Sequence, residues 1–204
     1  MILNETKKII DTLYKGIDGF EISRNAINKM NHYYIGYEYG EATNEGFYKI
    51  LESVKPKKSD VFYDLGCGVG KKVFIASIGF GLKKSVGIEI IPDLFRVAQN
   101  INKNYENMVN KFNYKQKQNI IEFYYGDFNG FDFSDGSIIY LSLAPMAMEI
   151  ELDGGIRLAL DSLKLGTKLI TSNTPYFSDK YAIQKSNEYE YADGKGKVYF
   201  HLKS

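Results

Sequence analysis

Three acidic residues stand at the ends of three successive strand-like runs, and a glycine-rich turn follows the first of them. Asp64 ends a run of β-branched and aromatic residues and lies two positions before Gly66, which opens the spacing G-x-G-x-G. Glu89 ends a second apolar run, 19 residues after Gly70, and Asp127 follows a third. Because ligands bind at the carboxyl ends of parallel strands, the three carboxylates are predicted to meet at one ligand.

The glycine turn at 66–70 directly precedes a segment of helical length. Glycines let a ligand approach bare backbone, and the following helix offers unpaired amides. Dinucleotide-binding turns have the spacing G-x-G-x-x-G and bind pyrophosphate, whereas this turn is shorter and Asp64 would repel a pyrophosphate. An acid there favours a ligand with an ammonium group, such as the methionine moiety of S-adenosylmethionine. The alternative is a tight strand-to-helix turn with no ligand.

The other two strand ends offer matching roles at the same ligand. The Glu89 carboxylate can accept hydrogen bonds from both ribose hydroxyls; otherwise it is an exposed charge at a strand end. Asp127 can accept from the adenine amino group, and Phe128 can stack on the adenine ring; otherwise they are a turn aspartate and a core phenylalanine. Three acids in chain order at three strand ends are a more specific signal than the glycine turn alone.

The elements that must position these residues alternate between strands and helices. This alternation predicts a Rossmann-like α/β fold, with a seven-stranded, mostly parallel sheet, helices on both faces and an antiparallel C-terminal strand pair. An N-terminal helical segment with a cofactor-capping loop is expected at 1–55 and the sheet domain at 56–204. Strands are predicted at 61–65, 85–89, 120–125, 137–143, 166–172, 183–191 and 197–203, and helices at 71–80, 93–111 and 155–163.

Composition narrows the class of protein further. The 26 lysines and arginines nearly balance the 25 acids, giving a net charge of +1, so a nucleic-acid partner is not expected. Cys67 is the single cysteine, which excludes an internal disulfide and predicts no metal site. It also favours a reducing, cytoplasmic location. No apolar run approaches the roughly 18 residues of a membrane span, so no membrane partner is expected.

From Asp64 to Phe128 the chain resembles the class I S-adenosylmethionine-dependent methyltransferases. Within that class it resembles the non-SET histone lysine methyltransferases, the disruptor-of-telomeric-silencing family. This narrower likeness extends more weakly through 138–141 to the last strand at 198–202. The motifs that carry it are Asn-His-Tyr at 31–33, Tyr-Gly-Glu at 39–41, Asp-Leu-Gly at 64–66 and Gly-Val-Gly at 68–70.

The resemblance implies roles for particular residues of this chain. Glu41 would hold the methionine ammonium of the cofactor, and Tyr39 would line the site beside it. Tyr199, in the last strand, matches an aromatic wall of the family's lysine channel. The other implied cofactor-binding residues are Asp64, Gly66, Gly68 and Gly70 beneath the cofactor, Glu89 at the ribose, and Asp127 with Phe128 at the adenine.

Several departures from the family pattern bear mainly on the acceptor. Ala42 stands ahead of Thr43 where the family has Thr directly, and Lys71 replaces a Gln after the glycine turn. Ser-Leu-Ala-Pro at 142–145 replaces an Asn pair near the target amine, which leaves Ser142 as the candidate there. The family's basic nucleosome-binding extension has no counterpart in this sequence, so a nucleosome is not the expected substrate.

Methyl transfer from a sulfonium requires alignment and desolvation of the nucleophile more than a strong base. A lysine amine must be neutral to react, although its ordinary pKa is near ~10.4, and an apolar aromatic channel would lower that pKa. His32 and His201, the two histidines, are expected to be structural. The candidate channel walls are Tyr39, Leu143, Met146, Tyr176 and Tyr199.

The leading hypothesis is an S-adenosylmethionine-dependent protein lysine N-methyltransferase that acts on a non-nucleosomal protein with an accessible lysine. One alternative is a small-molecule or nucleic-acid methyltransferase on the same fold. Against DNA amino-methylation, no Asp/Asn-Pro-Pro-aromatic motif follows the fourth strand, where 143–146 reads Leu-Ala-Pro-Met. The closer Asn-Thr-Pro-Tyr at 173–176 follows the fifth strand. Another alternative is a protein that binds the cofactor without catalysis.

Overall fold

Seven strands form one sheet in the order β3-β2-β1-β4-β5-β7-β6. The computed structural model describes residues 2–30, 39–112, 119–143 and 155–204. Strands β1 to β5 run parallel, and β7 pairs antiparallel with both β5 and β6, which confirms the predicted fold class. The strands are β1 Val61–Leu65, β2 Lys84–Glu89, β3 Ile120–Tyr125, β4 Ile138–Ser142, β5 Lys168–Ser172, β6 Tyr181–Tyr191 and β7 Gly194–Lys203.

The central strands are buried along almost their whole length. All five residues of β1 and four of the five in β4 and in β5 are buried, as expected for parallel strands covered on both faces. Strand β6 lies at the edge of the sheet, and most of its residues are exposed. Asp64 is therefore placed in the interior by its position in β1.

Helices flank the sheet, and several begin at residues suited to a helix start. Asp18 accepts a hydrogen bond from the Glu21 amide and Thr43 accepts one from the Gly46 amide, each at 3.0 Å. Among the described residues, no helix combines the length and apolar character that crossing a membrane requires. The helices are α1 Ile2–Leu13, α2 Gly19–Ile27, α3 Asn44–Glu52, α4 Lys71–Phe74, which continues as a π-helical turn over Ile75–Gly79, α5 Pro92–Phe112 and α6 Ile156–Asp161.

Two apolar clusters cover the two faces of the sheet. The first contains Tyr140, Val198 and side chains from α1 to α5, and the second contains Leu141 and side chains from α6. Side chains alternate between the faces along a strand. Asp64, Tyr140 and Ser142 therefore lie on the same face of the sheet, the one covered by the first cluster.

The N-terminal helices pack into the first cluster alongside the sheet. Ile10 of α1 and Phe47 of α3 are fully buried there with Phe62 of β1. The Tyr14 hydroxyl donates a hydrogen bond to the Val69 carbonyl at 2.8 Å. The N-terminal segment thus contacts the glycine turn directly, and the domain boundary between 55 and 56 stays a prediction.

Candidate functional site

The glycine turn leaves open space beside bare backbone at the carboxyl end of β1. Gly66 has a φ of +81° and is exposed, and a Cβ built on it would meet no atom within 4 Å. At Gly68 a Cβ would lie 2.5 Å from the Tyr39 ring, so that side of the turn is closed. The Gly66 and Cys67 amides both donate to the Ile88 carbonyl of β2 and hold the turn in place. A ligand can therefore reach the backbone at Gly66.

Asp64 lies at the base of this turn with a carboxylate that the protein satisfies only in part. The residue is fully buried, and the Lys72 Nζ lies 3.3 Å from its Oδ2. Neither carboxylate oxygen accepts a well-formed hydrogen bond. Burial raises the pKa of Asp64 to about 6, and the Lys72 ammonium opposes that rise. Because buried polar atoms normally have partners, this spare acceptor capacity fits the ammonium group of a ligand.

Glu89 is buried, so it is not an exposed charge at a strand end. Its Oε2 accepts a hydrogen bond from the Gly68 amide at 2.6 Å, and its Oε1 accepts one from the Ile91 amide at 2.7 Å. Burial raises the pKa of Glu89, and the two amides lower it in part. The carboxylate ties the glycine turn to the end of β2, and each oxygen retains a lone pair for a ribose hydroxyl.

Glu41 lies beside the turn and already has two partners. The Tyr39 hydroxyl donates to its Oε1 at 2.5 Å, and the Lys71 Nζ lies 2.7 Å from its Oε2. Burial and the Glu41 carboxylate raise the pKa of Tyr39, which keeps its hydroxyl protonated as a donor. The resemblance assigns Glu41 to a ligand ammonium. In this structure Glu41 also pairs with the ammonium of Lys71, a departure from the family pattern, and its oxygens keep further lone pairs for a ligand.

The segment that carries Tyr39 and Glu41 is fixed to the edge hairpin of the sheet. Ala42 forms an isolated bridge with Tyr191 of β6. The Ala192 amide donates to the Glu41 carbonyl at 2.9 Å. The hairpin of β6 and β7 therefore positions residues that stand at the carboxyl end of β1, although the two are far apart in sequence.

The end of β3 is more open than the ends of β1 and β2. Asp127 is exposed, and its Oδ1 accepts a hydrogen bond from the Asn129 amide at 2.9 Å. Phe128 is half-buried and packs against the second cluster. Ile90 follows Glu89 and is 36% exposed, so it adds an apolar surface that the sequence did not single out. The strand register places the ends of β1, β2 and β3 side by side.

Four hydroxyls meet at the ends of β4, β5 and β6. The Ser142 Oγ lies 2.5 Å from the Ser172 Oγ, and the Tyr140 hydroxyl lies 3.1 Å from the Tyr191 hydroxyl. Tyr140 and Ser172 are buried, whereas Ser142 and Tyr191 are half-buried. These four side chains are termed the hydroxyl cluster below. Sequence reasoning singled out Ser142 alone, because only the strand register brings the other three to it.

Tyr199 lies on the opposite face of the sheet from the hydroxyl cluster. It pairs with Thr171 of β5, and its chain neighbours Val198 and Phe200 both belong to the first cluster. Because successive side chains of a strand point to opposite faces, Tyr199 points away from that cluster. Tyr176 and Leu143 are buried in the second cluster on that opposite face. Of the candidate channel walls in the described residues, Tyr39 alone lies beside the glycine turn, and the role of the others as channel walls stays a prediction.

The remaining residues singled out from the sequence either are buried away from the glycine turn's open side or lie outside the described residues. His201 is buried, its Nε2 lies 3.1 Å from the Thr171 Oγ1, and burial lowers its pKa to about 4. Cys67 is free and buried, and burial raises its pKa. His32, Met146 and the segment 144–145 lie outside the described residues. Within residues 2–30, 39–112, 119–143 and 155–204, no group of His, Cys, Asp and Glu side chains is arranged to hold a metal ion.

Several solved structures similar to this fold are named as methyltransferases. An RNA methyltransferase from Salinibacter ruber in complex with S-adenosyl-L-homocysteine has a TM-score of 0.58 and 25% identity, over 78% of this chain and 90% of that one. A putative RNA methyltransferase from Pyrococcus horikoshii has a TM-score of 0.62 and 14% identity, over 97% of each chain. Together with the sheet order, these likenesses define the class of the fold, that of the class I S-adenosylmethionine-dependent methyltransferases.

The sequence assigns a family within that class. The sequence model of the family described as "Histone methylation protein DOT1" matches residues 21–195, and the chain belongs to this family. An H3 lysine-79-specific histone-lysine N-methyltransferase from Dictyostelium discoideum is 28% identical over 152 residues, 72% of this chain and 8% of that protein. A protein-lysine N-methyltransferase from Saccharolobus islandicus is 44% identical over 57 residues, 28% of this chain and 35% of that protein. The matched part thus spans well under half of either relative.

Proposed function

We propose that the protein is an S-adenosylmethionine-dependent protein lysine N-methyltransferase that acts on a non-nucleosomal protein. The observation that carries this proposal is the Asp64 carboxylate, which is buried at an open glycine turn and has unused acceptor capacity. The names of the Dictyostelium and Saccharolobus relatives support a lysine acceptor. The free, buried Cys67 supports a reducing, cytoplasmic location.

The cofactor would be held across the ends of β1, β2 and β3. Its methionine ammonium fits the carboxylates of Asp64 and Glu41, and its carboxylate fits the Lys71 ammonium beside Glu41. The Glu89 carboxylate would accept from the ribose hydroxyls. The adenine end would lie against Asp127, Phe128 and Ile90, and the glycine turn 66–70 would lie under the cofactor. When bound, S-adenosylmethionine supplies a sulfonium methyl group that the lone pair of an amine can accept.

The residues of the chain contribute binding, orientation and control of charge. Tyr39 closes the glycine turn over Gly68 and holds Glu41 by a hydrogen bond. The Lys72 Nζ lies 5.6 Å from the centre of the Tyr140 ring. A nearby positive charge disfavours protonation of an acceptor amine and therefore favours its reactive, neutral form.

Transfer of labelled methyl groups tests the proposal. The full chain is incubated with methyl-labelled S-adenosylmethionine and a heat-denatured bacterial lysate, and the protein fraction is hydrolysed to amino acids. Labelled methyl-lysine is the expected product. Label confined to nucleic acid or to small molecules would contradict the lysine acceptor and leave the transferase. An unlabelled lysate combined with tight binding of S-adenosylhomocysteine would contradict catalysis itself.

A further inference from the structure

The hydroxyl cluster is a polar site that the proposed cofactor contacts do not use. It lies at the carboxyl edge of the sheet, where Asp64 of β1 is paired with Tyr140 of β4, and Ser142 is paired with Ser172. These residues share one face of the sheet. We propose that the hydroxyl cluster binds the acceptor amine, with Ser142 and Tyr191 in contact with it and Tyr140 and Ser172 as positioning residues. This inference rests on the proposed function.

The cluster has more capacity to accept hydrogen bonds than to donate them. A hydroxyl carries one proton and has lone pairs that can accept more than one hydrogen bond. Four hydroxyls that donate to one another therefore retain unused lone pairs, which can accept from the N–H groups of an amine. Ser142 and Tyr191 are the half-buried members of the cluster, so the unused lone pairs are reachable from outside.

The cluster is also electrically neutral. Burial raises the pKa of both Tyr140 and Tyr191. Hydroxyl contacts with Tyr191, Ser172 and Ser142 offset part of the rise for Tyr140. Both phenols therefore stay protonated at physiological pH. A carboxylate in this place would stabilise an ammonium and remove its lone pair from reaction, whereas neutral hydroxyls orient an amine without holding it in its charged form.

The Tyr191 side chain crosses β7 to reach the cluster, and it does so over Gly196, which has no side chain. The position of a Cβ on Gly196 would lie 2.7 Å from the Tyr191 ring, so the ring lies directly on the backbone of β7. The same tyrosine pairs with Ala42 through its backbone. The edge hairpin thus delivers one hydroxyl to the cluster and anchors the segment that carries Glu41.

The test uses variants that remove or restore single hydroxyls. Tyr191→Phe and Ser142→Ala remove the two contacting hydroxyls, and Ser142→Thr restores one. Gly196→Ala keeps every hydroxyl but displaces the Tyr191 ring. The matched control is Tyr189→Phe, which removes a hydroxyl of the same strand whose partner is Ser53 at 2.7 Å.

Two quantities separate an acceptor role from a structural one. They are the dissociation constant of S-adenosylhomocysteine and kcat/KM for methyl-lysine formation in the heat-denatured lysate. Tyr191→Phe and Ser142→Ala are each expected to lower kcat/KM about tenfold and to change the dissociation constant less than twofold. Gly196→Ala should behave like Tyr191→Phe, Ser142→Thr should retain more activity than Ser142→Ala, and Tyr189→Phe should match the unaltered chain.

The outcomes distinguish this inference from the proposed function. Wild-type kcat/KM in both Tyr191→Phe and Ser142→Ala would overturn the inference, and so would a parallel loss of S-adenosylhomocysteine binding. If the unaltered chain forms no methyl-lysine but labels another acceptor, the proposed function is wrong, and the same variants assayed on that acceptor decide whether the cluster binds it. If it labels nothing, both are overturned.

Discussion

The ends of β1 and β2 and the ends of β4 and β5 lie at one edge of the sheet but differ in charge. The first region contains the buried carboxylates of Asp64 and Glu89, and Lys72 pairs with the former. The second contains the neutral hydroxyls of Ser142 and Ser172, in contact with each other. Burial raises the pKa of Asp64 to about 6 even though the Lys72 ammonium opposes that rise, so burial in the first region disfavours the charged carboxylate.

This difference matches what each region has to bind under the proposed function. The first region is termed the cofactor half and the second the acceptor half. A cofactor with an ammonium group and a sulfonium is cationic in part, and buried carboxylates favour such a ligand. An acceptor amine must be neutral when it reacts, and neutral hydroxyls do not oppose that state. Buried carboxylates in one region and neutral hydroxyls in the other therefore place the two reactants in different electrostatic surroundings.

The largest expected effect is on the ion pair of the cofactor half. Lys72→Met removes one member of a buried pair and should destabilise the fold by about 3–5 kcal/mol. Adding Asp64→Asn removes the charge left behind, so the double variant should recover to about the stability of the unaltered chain. Urea unfolding of the two single variants and the double variant gives the coupling. Additive losses would show that the two side chains do not act as a pair.

Two buried groups on opposite faces of the sheet, Asp64 and His201, are expected to make the free energy of unfolding depend on pH. Burial lowers the pKa of His201 from 6.5 to about 4, so the unfolded chain takes up that proton first, and stability falls as pH decreases from 6.5 to 4. The limit of this loss is about 3 kcal/mol. The pKa of Asp64 rises from 3.8 to about 6. The folded chain therefore takes up that proton first and gains stability as pH decreases from 6 to 4.

The His201→Gln variant separates these two opposite contributions. Without the histidine, the free energy of unfolding from urea titrations should rise as pH decreases from 6 to 4, following Asp64. The unaltered chain should show a flatter profile, because the two contributions oppose each other. The same slope in both proteins would contradict the assignment to His201.

A third effect concerns the link between the glycine turn and β2. Glu89→Gln replaces an oxygen that accepts from a backbone amide with an amide nitrogen that cannot, at either Gly68 or Ile91. The expected loss of stability is about 1.5–3 kcal/mol, with weaker binding of S-adenosylhomocysteine. The control Glu122→Gln changes a carboxylate at the surface end of a salt bridge and should cost less than about 0.5 kcal/mol. Equal losses in both variants would contradict the proposed role of Glu89.

The smallest expected effect concerns Lys71 and Glu41. If Lys71 supplies a charge for the cofactor carboxylate, Lys71→Met should weaken S-adenosylhomocysteine binding about tenfold. Lys83→Met, at an exposed lysine before β2, should leave binding unchanged. Tighter binding by Lys71→Met in calorimetry would instead mean that Lys71 competes with the cofactor ammonium for Glu41.

The two halves also differ in how much of their arrangement the local spacing of residues indicates. In the cofactor half, the candidate residues belong to one strand–turn–helix segment and the strand that follows it. The spacing of Asp64, Gly66 and Glu89 along the chain could therefore be interpreted without knowing the fold. Strand patterns also predicted every strand of the sheet, because buried parallel strands form apolar runs and the C-terminal pair alternates. What the sequence did not show is that Glu89 is bound by two backbone amides, since those contacts depend on the path of the turn.

The acceptor half depends on contacts between distant parts of the chain. Tyr191 meets Tyr140 only after β6 pairs with β7 and β7 with β5, and no local spacing marks this. Tyr199 was assigned to the lysine channel by resemblance, but the register of β7 places it on the face opposite Tyr140. A one-residue difference in register decides the face of a side chain, and the sequence alone does not determine it.

Calorimetric titration of S-adenosylhomocysteine is the most direct test of the cofactor site. The chain should bind one equivalent, and the variant that combines Asp64→Asn with Lys72→Met should remain folded and lose most of that affinity. Equal affinity in the two proteins, or no binding by the unaltered chain, would contradict the assignment of the strand ends at Asp64 and Glu89 to the cofactor.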